Sequence, residues 1–196
     1  VKCWGDNNYG QLGDGSTTNR STPVSVGQIG TTTKVATGYF NSCAILSDKT
    51  VKCWGSNSFG LLGDGTSTQR TTPVNVSNLT SVKDIDSGQY HSCAVHDNGT
   101  VKCWGYNNYG QVGDNSTTQR LLTVSVTGLS GAQNVATGYQ HSCALLSGGS
   151  VKCWGKKDVG QLGNGNSIYK TVTVSGISNA AEIGNGAWHS CARLDN

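Results

Sequence analysis

Hydrophobic and polar positions along this chain form short blocks rather than a helical stripe. Runs such as "CAIL" (43–46) and "VKCW" (51–54) are apolar at nearly consecutive positions. Strands that read this way are covered on both faces. Between them lie stretches of Gly, Ser, Thr and Asn that read as turns and loops. One stretch of the pattern predicts four strands, over 23–26, 33–37, 42–46 and 50–55.

The blocks then recur. VKCWG stands at Val1, Val51, Val101 and Val151, a period of fifty. SCAILSDKTVKCWG at Ser42 returns as SCAVHDNGTVKCWG at Ser92 and SCALLSGGSVKCWG at Ser142. Units of this length bury their faces against neighbouring copies, and four antiparallel strands make one blade of a β-propeller. The predicted fold is therefore all-β, a propeller of four four-stranded antiparallel blades. It forms a single array over 1–196 with units near 1–50, 51–100, 101–150 and 151–196. The glycines of "GQLGDG" suggest a phosphate loop, but no strand-to-helix unit surrounds them.

Two cysteines flank each central hairpin. If Ser47, Asp48 and Lys49 form a three-residue loop, Cys43 falls opposite Cys53, and facing Cα atoms lie roughly 4.5–5.5 Å apart, within disulfide reach. Gly99 and Gly149 suit the left-handed third position of such a loop; Lys49 does not, which predicts strain or another turn there. Zinc ligation would need CxxC-type pairs and nearby histidines that the chain lacks. The expected disulfides are Cys43–Cys53, Cys93–Cys103 and Cys143–Cys153, which place the chain in an oxidising compartment. Cys3 and Cys191 are left over, on half-hairpins at the two ends. Three outcomes follow: a ring closed by Cys3–Cys191, strand exchange between copies into a ring or filament, or a segment of a longer polypeptide.

Composition narrows the function. The 196 residues include 28 glycines and two prolines, and 13% are charged. The net charge is +3, with no Lys/Arg run to suggest nucleic acid. No apolar stretch reaches membrane-spanning length. Without an initiator Met or a leader, the chain reads as a mature product or an excised piece.

The stretch "GYQHSCALLSGGSVKCWGKKDVGQLGNG" (138–165) and its counterparts resemble the repeat of the regulator-of-chromosome-condensation (RCC1) family over essentially the whole chain. The resemblance implies a propeller, usually of seven blades, whereas this chain carries four units. The cysteine pair is similar to that of secreted bacterial members, which implies an extracellular or cell-surface place in a bacterium. Functions known in the family include nucleotide exchange on a small GTPase, β-lactamase inhibition and general protein binding, so the fold alone does not choose.

Most recurring polar and aromatic positions have a structural role open to them. His91, His141 and His189, with Asn41 in the remaining unit, share one position and are expected to hold a backbone carbonyl at a strand start. Trp4, Trp54, Trp104 and Trp154 are expected as wedges between blades. Arg20, Arg70, Arg120 and Lys170 follow Asp14, Asp64, Asp114 and Asn164 by six residues and are expected to brace loops. Loops that differ between units offer contact residues: Leu121, Leu122, Ile168, Tyr169 and Trp188, the last standing where Tyr139 or Phe40 aligns. No catalytic constellation, metal set or cofactor fingerprint emerges. The expected function is a non-enzymatic extracellular scaffold that needs no cofactor. It binds a protein partner through its loops or joins other copies of itself; a glycan-binding module and a protein inhibitor are the alternatives.

Overall fold

The computed structural model describes residues 1–165 and 170–195. Three complete blades occupy its middle. The first is β3 (Thr32–Thr37), β4 (Asn41–Leu46), β5 (Val51–Gly55) and β6 (Arg70–Asn75). The second is β7 (Val82–Ser87), β8 (His91–His96), β9 (Val101–Gly105) and β10 (Arg120–Ser125). The third is β11 (Ala132–Thr137), β12 (His141–Leu146), β13 (Val151–Gly155) and the two-residue β14 (Val172–Thr173). Each is an antiparallel meander in chain order. A two-stranded sheet lies at each end: β1 (Lys2–Gly5) with β2 (Arg20–Ser25), and β15 (Ala180–Asn185) with β16 (Ser190–Leu194).

The blades are thus offset from the sequence units, and each end carries half of one. Among the described residues no strand pairing or disulfide joins the two ends. The sheets β1–β2 and β15–β16 are separate, and Cys3 and Cys191 are both unbonded.

Double-sided burial of the central strands has a direct cause. β4, β8 and β12 are buried at every position but the last, because another blade or half-blade packs against each face. The joint between the first two blades buries Ile45, Val51 and Cys53 against Val82, Ile85 and Trp104. The next repeats it with Val95, Val101 and Cys103 against Ala132, Val135 and Trp154.

The hairpin register is the expected one. Cys43 faces Cys53, Cys93 faces Cys103 and Cys143 faces Cys153, and all three pairs are bonded, with Cα atoms 4.0–4.1 Å apart. Leu46 N–H donates to Thr50 O. Counting alternately from that bond makes each cystine a non-hydrogen-bonded pair, the closer of the two kinds. Of the two outcomes expected at Lys49, strain is the one found: it takes the same left-handed place as Gly99 and Gly149, with φ of +63° against +78° and +80°. Its side chain reaches Asp97 of the next hairpin (2.6 Å), so an exposed ion pair accompanies the strained backbone.

Candidate functional site

Two families of loops emerge at one end of the blades. One joins the first strand of a blade to the second (38–40, 88–90, 138–140, 186–189); the other follows the third strand (6–19, 56–69, 106–119). The second family is rigid, and one residue explains why. Asn7 is buried; its Nδ2 donates to Ser16 O and Thr18 O (3.1 Å each) and its Oδ1 accepts from Leu12 N–H (2.9 Å). Asn57 and Asn107 repeat the set, with Leu62 N and Val112 N as donors. The sequence reading missed these asparagines. Their signal was an identical residue three positions after each tryptophan in three units; Lys157 replaces it in the fourth.

The acid–base pairs brace the same loops. Arg20 lies 2.8 Å from Asp14, Arg70 2.9 Å from Asp64 and Arg120 2.6 Å from Asp114. A hydrogen bond from the Ser16 hydroxyl, aided by Arg20, holds the Asp14 carboxyl down to about 2. These arginines are therefore committed to loop structure.

The histidine expectation needs correcting. His91 and His141 are wholly buried, but each reaches a serine of the following blade or half-blade rather than a strand-start carbonyl. His91 Nε2 lies 2.7 Å from Ser142 Oγ, and His141 Nε2 3.0 Å from Ser190 Oγ. The serines donate their single proton onward, to Gln111 O (3.1 Å) and Gln161 O (3.0 Å). The serine oxygen must then accept, so each Nε2 carries the hydrogen. Burial pushes His91 down to about 3 and His141 to about 4, keeping both neutral. They latch blades together and take no part in a surface site.

Both loop families contribute to an aromatic arc across this end. Tyr9 packs on Phe40 (4.8 Å between centroids) and Phe40 on Tyr39 (4.4 Å). A pocket of about 80 Å³ bounded by Tyr9, Phe40, Phe59 and Tyr90 joins this cluster to the next. Phe59 then meets Tyr90 and Tyr106, Tyr90 meets Tyr139 (5.3 Å), and Tyr139 stacks on Trp188 (4.6 Å, 26°). Lys156 Nζ stands 4.7 Å from the Tyr109 ring and 5.0 Å from that of Trp188.

Of the contact residues expected from sequence, Trp188 is 44% exposed and joins this arc. It stacks on Tyr139 instead of taking its place; aligning His189 with His141 and Asn41 sets it at the position of Gln140 and Phe40, so the alignment with Phe40 holds. Leu121 is half buried against the Gly60 turn; Leu122 is exposed beside Gly65. Both lie on the outer strand β10. Ile168 and Tyr169 lie outside the described residues. Trp54, Trp104 and Trp154 are fully buried wedges, whereas Trp4 is 63% exposed. No cluster of three or more His, Cys, Asp or Glu side chains suited to a metal occurs among the described residues. No helix among them is long and apolar enough to cross a membrane.

Blades stapled across their hairpins and locked to one another define a β-propeller. The family described as "Regulator of chromosome condensation (RCC1) repeat" matches residues 3–45, 50–95 and 98–145, and a second profile of the same description matches 33–61, 82–111 and 132–161. The chain belongs to the RCC1 repeat family. Human WBSCR16 is similar in structure, with a TM-score of 0.85 at 19% identity over 98% of this chain and 54% of that one. Yeast RCC1 (Prp20), solved bound to Kap60, gives 0.78 at 21% identity over 98% and 49%. The Arabidopsis thaliana receptor kinase ACR4 ectodomain gives 0.52 at 20% identity over 84% and 52%. The chain thus spans about half the length of these proteins, and at such identities they show the fold alone. No curated protein matches the sequence. The three disulfides are consistent with an extracellular protein.

Proposed function

We propose that this chain is a non-enzymatic extracellular scaffold that holds a protein partner on its aromatic loop face and joins other copies through its terminal half-blades. One observation carries the binding part: the unbroken run of rings from Tyr90 through Tyr139 to Trp188, capped by Lys156. Aromatic side chains give large contact areas at low cost in conformational entropy, and these rings are already packed on one another. Other solved RCC1-type propellers support a protein as the ligand. Prp20 was crystallised with Kap60, and its binding to Gsp1p and histones has been described.

The joining part rests on the unpaired edges of β1 and β16, each offering backbone groups to a strand. A glycan is the alternative ligand, supported by the open platform of Trp188. The test compares the wild type with a Trp188→Ala/Lys156→Ala variant. Both are crosslinked to proteins of the source organism's surface fraction and screened in parallel on a glycan panel. A protein captured by the wild type and lost by the variant is expected. Glycan binding lost by the variant transfers the face to the alternative, and identical capture by both removes the arc from the binding surface.

A further inference from the structure

Each of the three disulfides staples a blade to itself, and none crosses from one blade to the next. The first strands of neighbouring blades, β3 beside β7 and β7 beside β11, pack together without sharing a sheet. Their backbones form no ladder with one another, so side chains reach across. Val135 N–H donates to Asp84 Oδ2 (2.9 Å), and the Thr137 N–H (2.7 Å) and hydroxyl (2.9 Å) donate to Asp86 Oδ2. Asn185 Nδ2 donates to Ala136 O (2.8 Å) in the same way.

Between the first and second blades the crossing group is a lysine. Lys34, on β3, sets its Nζ against Asp84 Oδ1, on β7. The Lys34 side chain is 43% exposed and that of Asp84 only 4%, so the stem enters from the surface and its tip ends on a buried carboxyl. Both oxygens of that carboxyl are engaged, Oδ1 by the amine and Oδ2 by Val135 N–H, which holds the carbon between them at the lysine tip.

A second carboxyl stands close by. Asp86 lies two residues further along β7 and therefore on the same face. Burial raises its carboxyl above the usual range, against the pull of Thr137 and of the Lys34 charge. Two carboxyls beside one ammonium are costly to ionise together, and the raised one keeps its proton more readily. The register shows how local this arrangement is. The position of Lys34 and Asp84 carries Asn134 and Glu182 in the other units, and that of Asp86 carries Ala36, Ala136 and Gly184. Among the described residues, an amine, a buried carboxyl and a second carboxyl meet in this way at the first joint alone, and none of the three belongs to a terminal half-blade.

We infer that Lys34 Nζ condenses with Asp84 Cγ, forming an amide that ties the first blade to the second. The ammonium and carboxylate already hold every atom the step needs. One proton passes from Nζ to Asp84 Oδ1, and the freed amine attacks Cγ. Charge then builds on Oδ2, where Val135 N–H stabilises it. The Cγ–Oδ1 bond breaks, and Oδ1 leaves as water with the first proton and a second one from Nζ. Asp86 hands a proton to the departing oxygen as it receives that of Nζ, and ends unchanged. Nothing is oxidised or reduced. Bulk water opposes such a condensation between free molecules, but well-oriented groups within one molecule react at effective concentrations of roughly 10⁵–10⁸ M. The burial of Asp84 keeps solvent from the bond once it has formed.

The test follows intact mass, measured after reduction, in full chains made by cell-free synthesis in a disulfide-forming buffer and sampled over time. The folded wild type is expected to fall below its sequence mass by one water, with a branched peptide joining Lys34 to Asp84. Lys34→Arg keeps a cation over Asp84 but offers no amine to condense. It is expected to show the full mass and unchanged circular dichroism, with a lower thermal midpoint. Asp84→Ala is likewise expected at full mass. Asp86→Asn leaves both reacting groups in place and is expected to slow the loss of water at least about a hundredfold, while Asp86→Glu restores it. Joining at the wild-type rate in Asp86→Asn, or slow joining that Asp86→Glu does not restore, would remove Asp86 from the proton transfer. A wild type at full mass, or a lost water without a branch at Lys34, would overturn the amide and leave an ion pair.

Discussion

Trp104→Phe is expected to destabilise the protein more than Trp154→Phe, although both indoles are fully buried at internal joints. Each change removes ring atoms from a close-packed joint, costing roughly 1–2 kcal/mol in lost contact and cavity. The difference lies in the acceptor left behind. Gln111 O loses Trp154 but keeps the Ser142 hydroxyl. Leu61 O takes a hydrogen bond from Trp104 and has no serine donor among the described residues. Stranding that carbonyl adds about 1–3 kcal/mol. The totals are therefore roughly 2–5 kcal/mol at Trp104 against 1–2 at Trp154.

The assay is urea unfolding followed by far-UV circular dichroism, with amide exchange read separately at β7 and β11. An array of this kind opens joint by joint, so exchange should quicken first at β7 in the Trp104 variant. Equal urea midpoints for the two variants, or faster exchange at β11 in both, would refute the reasoning.

Two further outcomes follow from the same joints. His91 and His141 are neutral in the fold, with pKa values of about 3 and 4, while the unfolded chain takes a proton near 6.5. Their contribution is complete above pH 6.5 and is lost as pH falls toward 4 for His141 and 3 for His91, roughly 2.5 kcal/mol for each histidine by pH 4.5; His91→Asn, the residue already present at Asn41, is expected to remove half of that dependence in urea midpoints compared at pH 7 and 4.5. Removing one staple with Cys93→Ser/Cys103→Ser is expected to cost roughly 2.5–3 kcal/mol, read as a lowered midpoint that a reductant no longer lowers further at that blade.

Much of the architecture was legible in the sequence because the repeat writes it four times. Consecutive apolar positions at Cys43–Leu46 could be explained only by cover on both faces, and the ten-residue cysteine spacing fixed the hairpin register. At Lys49 the sequence showed the conflict but left two outcomes open, because the residue's local preference opposes the turn. Two flanking strands held by a disulfide override that preference, and Lys49 accepts a left-handed backbone. The histidines were misassigned because their partners are serines about fifty residues away, a contact that no local pattern encodes. The aromatic arc was legible only at Trp188. Its other rings come from two loop families, and only the propeller brings residues such as Phe59 and Tyr90 together.

The tight turns expose residues 47–49, 97–98 and 147–148, and each lies between two bonded cysteines. A protease that cuts after Lys49 severs the backbone there without separating the pieces, because Cys43–Cys53 still ties one side to the other. The strand ladder and the joints behind it keep their register, so the nicked molecule retains its shape and its aromatic face. In a protease-rich setting the hairpin tips become sacrificial sites, where cleavage leaves no trace in size or binding until the sulfur bridge is reduced.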